Sequence, residues 1–190
     1  VKFIKDEEFI RGKVPMTKEE VRILSIAKLE LEKDDKMLDI GAGTGSISIQ
    51  MSKFCKEVTA IERDEEAYEL ILQNKAKFSC NNLDIIKGEA LEELQKLSGE
   101  SFDGIFIGGT GGNLEKIIEE GHKILKQDGR VVLNFITLDN CYKACETLKN
   151  LNYKVDITEV HVSKNRNNSY MMMSNNGIYI VSGRKEKIHE

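Results

Sequence analysis

One stretch constrains this chain more than any other. The apolar run Met37-Leu38-Asp39-Ile40 opens directly into Gly41-Ala42-Gly43-Thr44-Gly45, and a second apolar run, Val58-Thr59-Ala60-Ile61, ends in Glu62. Glycines at alternate positions let the backbone turn tightly and let a ligand approach where a side chain would intrude. A helix starting just after such a turn offers free N–H groups to an anionic ligand. The carboxylate of Glu62, 21 residues after Gly41, sits where a strand-end acid accepts both hydroxyls of a ribose. Together these features predict a nucleoside-cofactor pocket in an α/β domain. The spacing is Gly-x-Gly-x-Gly led by Asp39, unlike the Gly-x-Gly-x-x-Gly of nicotinamide and flavin sites.

This loop resembles the S-adenosylmethionine (SAM) loop of the class I methyltransferases, and the rest of the chain has the matching rhythm. Strands are predicted at 36–40, 57–62, 83–87, 102–107 and 130–136, with helices between them near 45–54, 64–79, 89–97, 113–126 and 139–150. A first helix is expected over 17–31, with Thr17 as N-cap and Glu20 completing a capping box. Gln127-Asp128-Gly129 is expected to stop the fourth crossover helix. Alternation of this kind implies right-handed crossovers and a mainly parallel sheet. After residue 150 the pattern changes. Tyr153 to Val162 and Met171–Met173 with Ile178–Val181 read as two strands without a helix between them, an antiparallel hairpin at the sheet edge. The fold expected is therefore α/β, Rossmann-like, with a seven-stranded mostly parallel sheet and a C-terminal antiparallel hairpin. One domain over 1–190 is expected: an N-terminal lid and helix (1–31), a cofactor-binding core (36–150) and the hairpin (153–183).

Composition narrows the class. With 28 Lys+Arg against 32 Asp+Glu, the net charge of -4 argues against nucleic-acid binding driven by phosphate neutralisation. No run reaches the length a membrane span needs, and no signal-peptide pattern opens the chain, so a cytoplasmic protein is expected. Four cysteines without a Cys-x-x-Cys pair, and three histidines remote from them in sequence, argue against a metal site.

Within the cofactor pocket, Gly41, Ala42, Gly43, Thr44 and Gly45 form the loop, Asp39 is placed to meet the cofactor's amino group directly or through water, and Glu62 takes the ribose. Arg63 follows Glu62. Asp64 reads equally well as the N-cap of the next helix. By resemblance to class I enzymes, Glu89 and Ala90 stand beside the adenine, although Glu89 is also a first-turn acid favoured by the helix dipole. Thr17 and Gly108 complete the set.

Strand four runs into Gly108-Gly109-Thr110-Gly111-Gly112, where many methyltransferases of DNA and amines carry Asn/Asp-Pro-Pro-Tyr/Phe. This pentad resembles the Gly-Gly-Ser/Thr-Gly-Gly loop of the decarboxylating precorrin C15-methyltransferases of cobalamin biosynthesis. Asp6-Glu7-Glu8-Phe9-Ile10, Pro15-Met16-Thr17-Lys18-Glu19-Glu20-Val21-Arg22, Ala60-Ile61-Glu62-Arg63 and Met171-Met172-Met173-Ser174-Asn175-Asn176 are similar to that family's signatures. The resemblance covers roughly residues 5–183. The chain departs from the family in keeping one proline in Val14-Pro15-Met16-Thr17, and in having Ser163-Lys164-Asn165-Arg166 where arginine and glycine are usual.

The resemblance implies SAM-dependent methylation at C15 of a cobalt-precorrin with loss of carbon dioxide from the C12 acetate. It also implies a separate C5-methyltransferase partner and a homotetramer. On the substrate side, Gly109, Thr110 and Gly111 are expected to approach the macrocycle. Arg11, Lys13, Lys164 and Arg166 are candidates for its carboxylates, each also readable as solvated surface. His161 reads as a sheet residue and the Met171–Met173 run as packing or interface. Three rivals remain: a transfer-RNA adenine-N1 methyltransferase, another small-molecule methyltransferase, and a non-catalytic SAM-binding subunit.

Overall fold

Strand residues in this protein alternate between two hydrophobic cores. Leu38, Ile40, Ile105, Ile107, Val131, Leu133 and Val181 pack into one cluster, while Met37, Phe106, Val132 and Ile180 pack into the other. That period of two is what a sheet covered on both faces demands. The computed structural model describes residues 2–165 and 169–186. Among them β1 (Lys36–Ile40), β2 (Glu57–Glu62), β3 (Leu83–Lys87), β4 (Phe102–Ile107), β5 (Leu125–Phe135), β6 (Tyr153–Val160) and β9 (Ile178–Lys185) form a seven-stranded sheet in the order β3-β2-β1-β4-β5-β9-β6. The first five strands pair in parallel, and β9 runs antiparallel between β5 and β6.

Helices α1 (Glu19–Leu29), α2 (Ser46–Met51) and α3 (Glu65–Lys77) cover one face, and α4 (Ala90–Lys96), α5 (Leu114–Ile124) and α6 (Leu138–Asn150) the other. Helix α5 shows why: Leu114, Ile117, Ile118, Gly121 and Ile124 are its buried residues, a stripe at helical spacing. No helix among the described residues is long and apolar enough to cross a membrane. The chain steps from β1 outward to β2 and β3, then returns to place β4 on the other side of β1. The carboxyl ends of β1 and β4 therefore meet at a topological switch point, where open α/β sheets bind ligands.

The predicted fold stands, with local corrections. Helix α1 starts at Glu19 with an extended Lys18 as N-cap and no side-chain cap bond, so the Thr17–Glu20 capping box does not form. The Thr17 carbonyl instead accepts a hydrogen bond from Arg22 at 2.8 Å, and Glu20 pairs with Lys164. Gln127-Asp128-Gly129 lies within β5, where the register against β4 shifts, and α5 has already ended at Ile124. There the Lys185 ammonium, 8% exposed, donates to the carbonyls of His122 and Leu125, each at 2.7 Å. The Met run does not lead straight into β9. Residues Met172–Ser174 form β8, which pairs with β7 (Ser163–Asn165) in a separate ribbon.

Candidate active site

Gly41, Gly43 and Gly45 all adopt left-handed backbone, with φ of 68°, 58° and 76°. At Gly41 the requirement is absolute, because a Cβ would lie 2.5 Å from the Gly109 carbonyl oxygen and 2.7 Å from its Cα. The loops after β1 and β4 thus cross in backbone contact, tied by the Gly108 N–H donating to the Ile40 carbonyl at 2.9 Å. Gly43 differs: its added Cβ would meet the N-terminal segment at ordinary contact distance, the Pro15 carbonyl oxygen at 3.5 Å and Val14 at 3.9 Å.

Glu62 is 7% exposed and its carboxylate is caged by backbone. Oε2 accepts from Gly43 N–H at 2.7 Å, and Oε1 from the N–H groups of Arg63 and Asp64 at 2.8 and 2.9 Å. A carboxylate has about four lone-pair sites, so this one fixes the glycine loop and retains acceptor capacity for a ligand hydroxyl. Asp64 caps α3 through the Ala67 N–H at 2.9 Å, the capping alternative the sequence offered.

Glu62, Arg63, Glu89, Ala90, Thr110 and Gly111 line one cleft together with Gly41 and Gly109. Arg63 and Glu89 pair across it at 3.2 Å. Glu89 occupies the N-cap position of α4, makes no side-chain cap bond and turns instead to Arg63. The predicted macrocycle contacts Gly109, Thr110 and Gly111 therefore share a cleft with the predicted ribose and adenine contacts.

The second cleft lies on the other side of the glycine loop. Its walls are Val14–Lys18 of the lid, Gly41–Thr44, Phe106, Gly108, Asn134–Ile136 and Ile178. Thr44 is 1% exposed, and its hydroxyl has no hydrogen-bond partner among the described residues. Leaving a buried hydroxyl unpaired is costly, so this group suits a bound polar ligand. Asp39 lies under the loop and lines neither cleft. It is fully buried, with one oxygen bonded to the Ser48 hydroxyl and the other, Oδ1, unpartnered. Burial raises its pKa to about 7, the Glu62 charge pushes the same way, and the Ser48 bond opposes them.

The lid is bolted down by side chains the sequence reading did not nominate. Arg22, 0% exposed, donates to the carbonyls of Ile4 (2.6 Å) and Thr17 (2.8 Å), pairs with Asp6 and covers the Phe9 ring. Asn74 on α3 holds Ile10 by both its N–H and carbonyl and also donates to the Thr44 carbonyl at 3.3 Å, so it links lid to glycine loop. Asn134, at the end of β5, bonds Ser25 while lining the second cleft. A polar residue on the buried stripe of α1 was the available signal for Arg22; for Asn74 and Asn134 only tertiary contact reveals the role.

Thr17 lines the second cleft and not the one that holds Glu62 and Glu89, while Gly45 packs against Ile71 outside both. Arg11 and Lys13 are exposed and line neither cleft, the lid being drawn there onto α3 by Lys13 N–H donating to Glu66 at 2.9 Å. Lys164 faces α1 through Glu20. Arg166 lies outside the described residues. His161 ends in an exposed pairing with Glu159 at 3.0 Å, beyond β6.

A parallel sheet with a glycine loop and caged acid at its switch point defines the class I SAM-dependent methyltransferase fold, and solved structures of that class align with it. A structure described as precorrin-6y C5,15-methyltransferase from Geobacter metallireducens GS-15 is 38% identical, covers 97% of this chain and 96% of its own, and superposes with a TM-score of 0.91. A precorrin 8W decarboxylase from Methanobacterium thermoautotrophicum is 32% identical, covering 95% and 98%, with a TM-score of 0.89. A family model described as precorrin methyltransferase domain matches residues 8–171. The chain belongs to the precorrin methyltransferase family. Among curated relatives, the cobalt-precorrin-6B C(15)-methyltransferase (decarboxylating) of Salmonella typhimurium is 37% identical over 192 residues, 98% of each chain. A transfer-RNA (m1A58) methyltransferase from Aquifex aeolicus aligns at 23% identity and shares the fold alone.

Proposed function

We propose that this chain is a SAM-dependent, decarboxylating C15-methyltransferase acting on cobalt-precorrin-6B in cobalamin biosynthesis. What carries the reading is the union of full-length similarity to enzymes of that name with a complete glycine loop and a caged Glu62 in this chain. Glu62, Thr44 and Glu89 would hold SAM, which supplies an electrophilic methyl group when bound.

Methyl transfer requires C15 to lie in line with the donor bond, and a conjugated tetrapyrrole carbon is already electron-rich. What the protein must supply is then positioning and water exclusion. Val14, Met16, Phe106, Ile136 and Ile178 give the second cleft an apolar wall beside Gly41 and Gly108. In the decarboxylation the bond from the C12 acetate methylene to its carboxylate breaks, carbon dioxide leaves, the conjugated ring accepts the electron pair, and a proton added at the methylene carbon completes the C12 methyl group. An apolar wall favours this by desolvating the carboxylate.

We place this single domain in the cytoplasm, working beside a separate C5-methyltransferase, and as a homotetramer. The exposure of Tyr170, Met171, Met172 and Met173 supports assembly, since apolar residues gathered on one ribbon suit a protein interface. Light scattering that returns a monomer would end the tetramer. The reaction itself is tested by incubating the protein and SAM with cobalt-precorrin-6B or with bulk transfer RNA. Mass spectrometry should show one methyl gained and one carbon dioxide lost on the precorrin, and methylated RNA would overturn the reading.

A further inference from the structure

Beyond the second cleft lies a third, between the start of α1 and the β7–β8 ribbon, lined by Asp6, Lys18, Glu20, Lys164, Asn165 and Asn175 together with Met173. Lys18 lines both, so the two clefts adjoin at this residue. They are of similar size, about 370 and 350 Å³, and neither alone holds a macrocycle with acidic arms around its rim.

The charges here are unevenly satisfied. Asp6 is committed to buried Arg22 at 3.2 Å. Glu20 pairs with Lys164 through Oε1, while its Oε2 is buried without a partner among the described residues. Lys18 makes no ion pair among the described residues. An ammonium carries three donors. Lys164 therefore keeps donors to spare beyond Glu20, and Lys18 has its whole set. Asn165 and Asn175 add exposed carboxamides on the ribbon side.

We propose that this third cleft is a carboxylate subsite, in which the Lys18 and Lys164 ammonium groups grip one acidic side chain of the tetrapyrrole while its reacting edge faces Gly108. This rests on the function proposed above. It also gives the ribbon a role, since β7 carries Lys164 to the cleft and β8 supplies the Met173 wall. Lys18 sits where the lid enters α1, so one residue serves the boundary between the reacting part of the ring and its anchored part.

The rival is that Lys164 and Glu20 merely latch the ribbon onto α1. The test uses the full chain, with steady-state turnover of cobalt-precorrin-6B, SAM calorimetry, and fluorescence titration of uroporphyrin, an unreactive tetrapyrrole whose side chains are all carboxylates. K18M and K164M should each raise KM for the precorrin, and the Kd for uroporphyrin, about fivefold or more. Values of kcat should stay within about twofold and SAM affinity should not change, because neither lysine touches the ribose cleft. E20Q decides between the readings, since it releases Lys164 without removing it. The subsite predicts an unchanged or lower KM. A latch predicts that E20Q and K164M share one defect, and that result would overturn the proposal, as would unchanged binding in both lysine variants. Loss of uroporphyrin binding in K18M and K164M, in a protein that never turns over the precorrin, would retain the subsite and reject the reaction. Wild-type protein that neither binds uroporphyrin nor turns over the precorrin would reject both.

Discussion

On the proposed cofactor side of the site, the groups that shape it are backbone N–H groups, glycines in left-handed conformation and one caged carboxylate. On the substrate side they are side chains from the lid, the end of β5 and the β7–β8 ribbon. Geometry written in the backbone tolerates no substitution where backbone crowds backbone, as at Gly41. Geometry written in long side chains is adjustable and reads out mainly in substrate affinity. The contrast fits one common methyl donor and one bulky acidic acceptor, and variants on each side can break it.

The largest effect is expected at Gly41. Alanine there must sit at φ 68° with its Cβ 2.5 Å from the Gly109 carbonyl oxygen. Strain and displacement together should cost SAM binding at least about 3 kcal/mol, more than a hundredfold in Kd by calorimetry. Near-normal affinity would mean the crossing of the two loops is not needed.

Lys185→Met probes a buried charge in the other half of the sheet. It should cost about 1.5–3 kcal/mol of stability in denaturant melts, since two carbonyls lose a charged donor. SAM affinity should stay unchanged, and a fall would show that β9 supports the cofactor side too.

Glu62→Ala should weaken SAM binding by about 1.5–3 kcal/mol, because ribose hydroxyls lose a charged acceptor, and should also lower the melting temperature as the loop loses its cage. Unchanged affinity in a folded variant would remove Glu62 from the site.

Asp39 offers a pH test of the same loop. Its folded pKa, about 7, lies above the ordinary value of 3.8, so between those values the folded state binds more protons than the unfolded one. Stability therefore falls as pH rises through that window, by on the order of a few kcal/mol at most. Asp39→Asn removes the titration, and its melting temperature relative to the wild type should climb from pH 4 to pH 7. A constant difference would place a compensating donor on Oδ1.

The smallest effect is expected at Gly109. No atom outside its own neighbours approaches its added Cβ closer than 3.8 Å. Gly109→Ala should leave SAM affinity within about threefold. A large loss there would show that the ligand itself fills the gap.

The same contrast explains what the sequence disclosed. Gly41 and Glu62 were legible because the chemistry depends on residue type and local spacing alone. The strands were legible because both their faces are buried, as in the alternation of Met37 and Leu38 between two cores. The start of α1 was misread because Arg22, a residue of the helix itself, takes the Thr17 carbonyl and the Ile4 carbonyl and holds the entering chain extended. The end of α5 was misread because its cap, Lys185, arrives from 60 residues away. Asn74 holds Ile10 across a separation of 64 residues, which no local pattern reveals. The pentad was expected to face the macrocycle, yet Gly109, Thr110 and Gly111 line the same cleft as Glu62, Arg63 and Glu89.

The most direct test of the account follows the transferred carbon itself. The protein is incubated with cobalt-precorrin-6B and SAM carrying a 13C-labelled methyl group, and the product is read by carbon NMR. The account predicts one enriched methyl, bonded to C15, together with conversion of the C12 acetate to a methyl group. An enriched methyl at any other ring carbon, or a C12 acetate that survives methylation, would contradict it.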